Sequence, residues 1–114
     1  MTNKVFIPHP VTRMTENGLV PKFPLAPALR HGELVTVFGN SGMAAMPDAA
    51  VNAICDVLEE HKFDPNRDFF LVAGDPTIYG LMIESALMHY NMRPRLLRWD
   101  RDRKDYDVLP AKSY

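Results

Sequence analysis

The run of five apolar residues at positions 69–73, Phe-Phe-Leu-Val-Ala, restricts the fold of this chain more than any other feature. Asp68 precedes the run and Gly74 follows it. An uninterrupted apolar run of this length is typical of a strand whose two faces are both covered, as in the middle of a parallel sheet. The sequence therefore predicts that residues 69–73 form the central strand of a sheet.

A helix is predicted to begin directly after this strand. Gly74 allows a tight turn, Asp75 is placed to accept hydrogen bonds from the first helical amides, and Pro76 suits the first helical position. The helix over residues 76–90 is apolar around most of its circumference, so it must be covered on more than one side. We expect the cover to come either from the proline-rich segment described below or from a second copy in a homodimer.

The remaining strands and helix follow from the same kind of pattern. Strands are predicted at residues 4–7 and 33–38, and a helix over 47–61 has an apolar face opposite a charged one. Residues 93–100 form the last main strand, with Leu97 and Trp99 on one face and Leu96 and Arg98 on the other. Tyr106 and Val108 recur at strand period and predict an edge strand after a polar turn.

This order of elements predicts the fold class. Strands separated by helices form right-handed parallel crossovers. We expect one α/β domain over residues 1–114, built as a small three-layer Rossmann-like or flavodoxin-like sheet. The sheet is mostly parallel and has a C-terminal antiparallel edge strand.

Residues 10–32 fit no regular element, because four prolines interrupt the segment. We expect it to wrap one edge of the sheet with its apolar side chains. Asn17-Gly18 is an alternative signal for a hairpin, although Pro21 interrupts the second arm. Residues 110–114 are expected to be a loose tail.

Composition places the protein among ordinary soluble domains, with 46% hydrophobic and 24% charged residues. The single cysteine, Cys55, excludes an internal disulfide, and neither a signal peptide nor a membrane-spanning run is present. The chain is therefore expected in the cytoplasm, which is the host cytoplasm if a phage encodes it. Residues 1–92 carry six Lys/Arg against ten Asp/Glu, and residues 93–114 carry seven against four. The basic end is interleaved with aspartates, so nucleic-acid binding is not expected.

Two turns at the ends of predicted strands form a candidate ligand site. Their residues are Gly39, Asn40, Ser41 and Gly42 in the first turn, and Gly74, Asp75 and Thr77 in the second. Ligands bind at the carboxyl ends of strands in such sheets, and glycine lets backbone amides approach a ligand. We expect the sugar edge of a nucleotide at Asp75 and phosphate contacts from Asn40 and Ser41. The alternative is that the first turn is a plain connection and Asp75 only a helix cap.

Signals for catalysis are weak. No spacing assembles a nucleophile with a base, and no helix face carries paired metal ligands, so no catalytic residue, metal or cofactor is predicted. A candidate partner surface comprises Arg98, Trp99, Arg101, Tyr79 and Met82. The arginines and Trp99 could clasp a base or phosphate, or Trp99 could be buried with solvated arginines beside it.

Two stretches of the sequence resemble known families. The turn from Gly74 to Gly80 resembles one in tetrapyrrole methylases, where it lies near S-adenosylmethionine, but those enzymes need about twice this length and the rest of their pattern is missing. A longer stretch, with the Gly-Asp-Pro turn, the apolar helix and the Leu-Leu-Arg-Trp-Asp-Arg string at 96–101, resembles short uncharacterised proteins of tailed bacteriophages. That resemblance brings no activity with it.

The expected function is therefore that of a small accessory protein that is not an enzyme. It would form a homodimer and bind or regulate a host or viral macromolecule. The alternative is a small protein that binds or sequesters a nucleotide with its two glycine-containing turns.

Overall fold

The computed structural model describes residues 3–9, 12–21, 25–38 and 47–113. In these ranges the elements follow one another as β1 (Lys4–Ile7), β2 (Thr12–Thr15), β3 (Gly18–Pro21), α1 (Ala26–Leu29), β4 (Glu33–Thr36), α2 (Pro47–Glu60), β5 (Phe69–Leu71), α3 (Pro76–Tyr90), β6 (Met92–Arg93), β7 (Arg95–Asp100), β8 (Asp105–Leu109) and β9 (Lys112–Ser113).

The main sheet has five strands in the order β4-β1-β5-β7-β8. The first four are parallel, and β8 runs antiparallel to β7 at the edge. Val5 pairs with Phe69 across β1 and β5, and Phe70 pairs with Leu96 across β5 and β7. The predicted α/β fold, with a mostly parallel sheet and an antiparallel edge strand, is confirmed. β5 is the central strand, as its apolar run predicts.

Helices cover both faces of this sheet to different extents. α2 and α3 pack on the face to which Phe70 points, and Phe70 is fully buried there. α1 contributes Ala28 to the opposite face, on which Leu71 is 1% exposed. The central strand ends at Leu71 rather than at residue 73, and Val72 beyond it is half-buried. The prediction was therefore wrong about the end of this strand.

Five short elements, β2, β3, α1, β6 and β9, were not part of the predicted order. β2 and β3 form a hairpin, which is the alternative that Asn17-Gly18 predicted. Thr15 pairs with Gly18, and Gly18 has φ 101°. α1 lies in the proline-rich segment, and Pro27 is tolerated because it stands in the first turn of the helix. β9 pairs antiparallel with β6, so residues 112–113 are held by strand pairing where a loose tail was predicted.

The buried carboxylate of Asp68 connects two parts of the chain at the amino edge of the sheet. Asp68 is fully buried immediately before β5. It accepts hydrogen bonds from the backbone N–H of Lys4 and of Asp64, each at 2.9 Å. The Arg67 guanidinium donates to both carboxylate oxygens, also at 2.9 Å. The start of β1 and the turn before β5 are thereby fixed to one another.

α3 is covered within one chain more completely than its apolar sequence predicts. Ile78, Met82 and Ala86 are fully buried, and most of its other apolar side chains are half-buried. Met88 is the large apolar side chain of α3 that is exposed, at 68%. In the described part of the chain, no helix is both long enough and apolar enough to cross a membrane.

The position of β5 leads to a prediction about stability. Leu71→Ala leaves a cavity in a fully covered part of the sheet and should reduce the free energy of unfolding by about 2–5 kcal/mol. Urea unfolding followed by circular dichroism measures the loss. Val108→Ala, at a side chain that is 46% exposed, is the control and should change stability by less than about 1 kcal/mol. A loss below about 1 kcal/mol for Leu71→Ala would contradict a central β5.

Candidate functional site

The candidate site lies where connections leave the sheet in opposite directions. The chain after β1 continues to β4 on one side, whereas the chain after β5 continues through α3 to β7 on the other side. In open α/β sheets, ligands bind in the crevice between the carboxyl ends of two such strands. The residues that follow β1 and β5 therefore form the candidate site.

His9 stands at the carboxyl end of β1. Pro8 before it is fully buried, and His9 itself is 8% exposed. The His9 Nε2 atom accepts a hydrogen bond from the Asp75 N–H at 2.9 Å. A ring nitrogen that accepts carries no proton, so the neutral His9 ring has its proton on Nδ1. His9 thus joins the end of β1 to the start of α3.

The turn between β5 and α3 has the conformation that the sequence predicts. Gly74 has φ 85°, in the region that glycine enters without steric cost. Asp75 is the N-cap of α3, and its carboxylate accepts from the Thr77 N–H at 2.9 Å. Pro76 occupies the first turn of the helix. Asn91 ends the same helix in the left-handed conformation, at φ 56°.

The backbone donors at the start of α3 already have partners. The Asp75 N–H donates to His9, Pro76 has no N–H, and the Thr77 N–H donates to the Asp75 carboxylate. The Ile78 and Tyr79 N–H groups both donate to the Asp75 carbonyl, at 3.0 and 3.3 Å. Anions bind at helix N-termini through amides that are free to donate. The start of α3 is therefore a poor site for a bare phosphate.

The Asp75 carboxylate keeps the capacity to accept from a ligand. One of its oxygens holds the Thr77 amide, and the other has no hydrogen-bond partner among the residues that the structure describes. The residue is half-buried at the carboxyl edge of the sheet. An ionised carboxylate only accepts hydrogen bonds, so it selects ligand groups that donate, such as hydroxyl and amino groups.

The first predicted turn, Gly39, Asn40, Ser41 and Gly42, lies outside the described residues. The chain is described as far as Phe38, whose N–H donates to the Pro8 carbonyl at 3.0 Å. The Val37 N–H donates to the Ile7 carbonyl at 2.8 Å. The segment after β4 therefore stays beside β1 up to its carboxyl end. Phosphate contacts from Asn40 and Ser41 stay a prediction.

The structure does not gather the predicted partner residues on one surface. Arg98 and Trp99 point to opposite faces of β7, because side chains alternate along a strand. Trp99 packs edge-to-face on Tyr106, with ring centroids 5.1 Å apart. Arg101 is exposed in the turn that follows β7. Trp99 is half-buried and packs against the core. This position agrees better with the alternative prediction, in which Trp99 is buried, than with a Trp99 that contacts a ligand.

Two partner residues on α3 face the core. Met82 is fully buried and Tyr79 is half-buried against the same cluster. Met82 cannot contact a partner from this position, and the prediction was wrong for it. The physical reason is that α3 packs on both β5 and α2 of its own chain. A helix covered on two sides needs apolar side chains around most of its circumference, even without a partner chain.

The arginines of the β7–β8 hairpin are largely neutralised by aspartates. Arg98 forms an ion pair with Asp107 at 3.3 Å, and Arg103 pairs with Asp100 at 3.0 Å. The backbone N–H of Arg103 lowers the pKa of Asp100 more than the Arg103 guanidinium does. These pairs are exposed and contribute little to stability. Their interleaved charges fit the expectation of no nucleic-acid binding, which stays a prediction.

A scan against protein-family models matches residues 3–112 to the model described as Phage Pam3 gp32-like protein. The chain belongs to the phage Pam3 gp32-like protein family. The resemblance to short phage proteins is thereby confirmed. No curated protein and no solved structure matches the chain. Membership of this family carries no information about activity, so only the geometry of the site bears on function.

His9 is the site residue that the sequence did not single out. Its spacing to other residues indicates no catalytic constellation, so the sequence pattern alone gives it no role. The available signal was its position, directly after a predicted strand whose carboxyl end lies beside that of the central strand. Among the described residues, no group of three or more His, Cys, Asp or Glu side chains could hold a metal ion.

The hydrogen bond between His9 and Asp75 predicts a specific tautomer. When the ring is neutral, long-range proton–nitrogen NMR should show His9 Nε2 unprotonated and Nδ1 protonated. His89, which is exposed on α3, is the control for a ring without this constraint. A protonated Nε2 in His9 would contradict the contact.

Proposed function

We propose that this phage protein is a binding protein for a small ligand that carries hydroxyl or amino donors, of the nucleoside or nucleotide class. The ligand would bind between the carboxyl ends of β1 and β5. The observation that carries the proposal is the Asp75 carboxylate, which the Thr77 amide orients while one oxygen is left to accept. A ribose offers adjacent hydroxyl donors to such an oxygen.

The chemistry of the crevice favours a sugar edge over a phosphate at Asp75. The amides at the start of α3 are engaged, and the negative charge of the carboxylate repels an anion. A phosphate would need donors elsewhere, for which Asn40 and Ser41 stay the predicted residues. The expectation of a nucleoside edge at Asp75 is therefore retained as part of the proposal.

We propose binding rather than catalysis. The Nε2 lone pair of His9 accepts the Asp75 amide and is not available to take a proton from a substrate. Asp75 is committed to capping through one oxygen.

A ligand screen tests this proposal. Adenosine, guanosine and their phosphates should raise the melting temperature, by about 4 °C or more at ten times the dissociation constant. Asp75→Asn keeps a good N-cap but removes the charge, so it should abolish the shift and leave the melting temperature of the free protein nearly unchanged. Asp56→Asn, at an exposed position of α2, is the matched control.

Two results would contradict the proposal. One is the absence of any shift at millimolar ligand. The other is an equal shift in wild type and Asp75→Asn, which would place the ligand elsewhere.

A second candidate function is binding of a host or viral protein by a homodimer. Met88 favours it, because a large apolar side chain that is 68% exposed on α3 is a natural contact for a partner. The apolar character of α3 is weaker evidence for a homodimer than the sequence suggested. The sheet and α2 of the same chain cover most of this helix.

Light scattering after size exclusion tests the homodimer. Wild-type protein at tens of micromolar should have twice the chain mass, and Met88→Glu should have the mass of one chain. Leu29→Glu, at another exposed apolar position, is the control and should remain dimeric. A wild-type protein with the mass of a single chain would overturn the prediction.

A further inference from the structure

A cavity lies at the opposite edge of the sheet from the proposed nucleoside site. It has a volume of about 390 Å³ and is lined by Cys55, Glu59, His89 and Tyr90. The first two residues lie one turn apart on α2, and the other two end α3. The cavity is thus a cleft between the C-terminal halves of the two helices, which we call the α2–α3 cleft.

The two helices that flank the cleft carry negative charge, and the nearest basic residues along the chain, Lys62 and Arg93, lie just beyond their ends. α2 and α3 together carry five carboxylates and neither Lys nor Arg. Among the described residues, Glu59 has no ion-pair partner. Both helices run from the carboxyl to the amino edge of the sheet, so their C-terminal ends lie together at the cleft. Each end adds a partial negative charge of about half an elementary charge.

Tyr90 supplies an aromatic wall beside this negative charge. Its ring is half-buried and packs edge-to-face on Phe63, with centroids 5.0 Å apart. Burial raises the pKa of Tyr90, and the neighbouring Glu59 and Cys55 raise it further. The same negative field that opposes a phenolate stabilises a cation in the cleft.

The chemistry of the lining excludes some ligands. Cys55, Glu59 and His89 line the cleft, but no three such side chains among the described residues are placed so that they could hold a metal ion. Its volume is near the lower limit for small-molecule sites, which leaves room for one long side chain rather than a nucleotide. A carboxylate beside an aromatic ring suits a planar guanidinium, which pairs with the first and stacks on the second.

We propose that the α2–α3 cleft binds the guanidinium of an arginine side chain from a basic segment of a partner protein. Glu59 pairs with the guanidinium, and the Tyr90 ring lies against it. The surrounding carboxylates of the helical layer favour further basic residues in the same segment. This interaction is independent of ligand binding at the carboxyl edge, and the two surfaces can be occupied together.

NMR titration tests the proposal. The probe is a capped Gly-Arg-Gly peptide at pH 8 and low salt, with the amides of Cys55, Glu59 and Tyr90 as reporters. We expect saturable shifts at these amides, and binding at least about tenfold weaker when citrulline replaces arginine, since citrulline is neutral and of similar shape. Glu59→Gln should weaken binding by a similar factor.

Glu60→Gln is the matched control. Glu60 is the next residue, is also exposed and does not line the cleft, so its variant should bind within about twofold of wild type. Equal losses for Glu59→Gln and Glu60→Gln would overturn the proposal in favour of diffuse charge attraction. Absent shifts, or equal binding of the citrulline peptide, would also overturn it. Free arginine binding as tightly as the peptide would overturn the assignment to a polypeptide segment.

Discussion

The buried carboxylate of Asp68 is the interaction on which the arrangement of the sheet depends. A charge without access to water is tolerated only when its partners are in place. The partners of Asp68 are the backbone N–H groups of Lys4 and Asp64 and the guanidinium of Arg67. The Lys4 N–H can reach Asp68 only if β1 and β5 lie in the observed register, with Val5 opposite Phe69. That register then brings His9 to Asp75 at the other end of the two strands.

The two ends of the molecule consequently have different chemistry. At the carboxyl edge, the Asp75 carboxylate stands beside backbone donors that already have partners, which suits a ligand that donates hydrogen bonds. At the amino edge, two helix C-termini and the Glu59 carboxylate surround the α2–α3 cleft, which suits a cation. This difference between the two edges follows from the parallel sheet. The helices that connect its parallel strands begin at the carboxyl edge and end at the amino edge.

The sequence predicted the features that depend on local pattern and capping. The central strand beginning at Phe69, the Asp75 cap and the alternation of Leu97 and Trp99 against Leu96 and Arg98 were all predicted from local sequence, and the structure has each of them. What could not be predicted depends on long-range pairing. β9 exists only because β6 lies beside it, and Met82 is buried only because α2 covers α3. The role of His9 likewise depends on a residue 66 positions away.

The central claim is that the crevice between β1 and β5 binds the ligand. The most direct measurement is chemical-shift mapping of the labelled protein with a nucleoside that raises its melting temperature. The account predicts shifts concentrated at His9, Gly74, Asp75 and Thr77, with the amides of the α2–α3 cleft unchanged. Shifts concentrated at Cys55, Glu59 and Tyr90, with residues 74–77 unchanged, would contradict it.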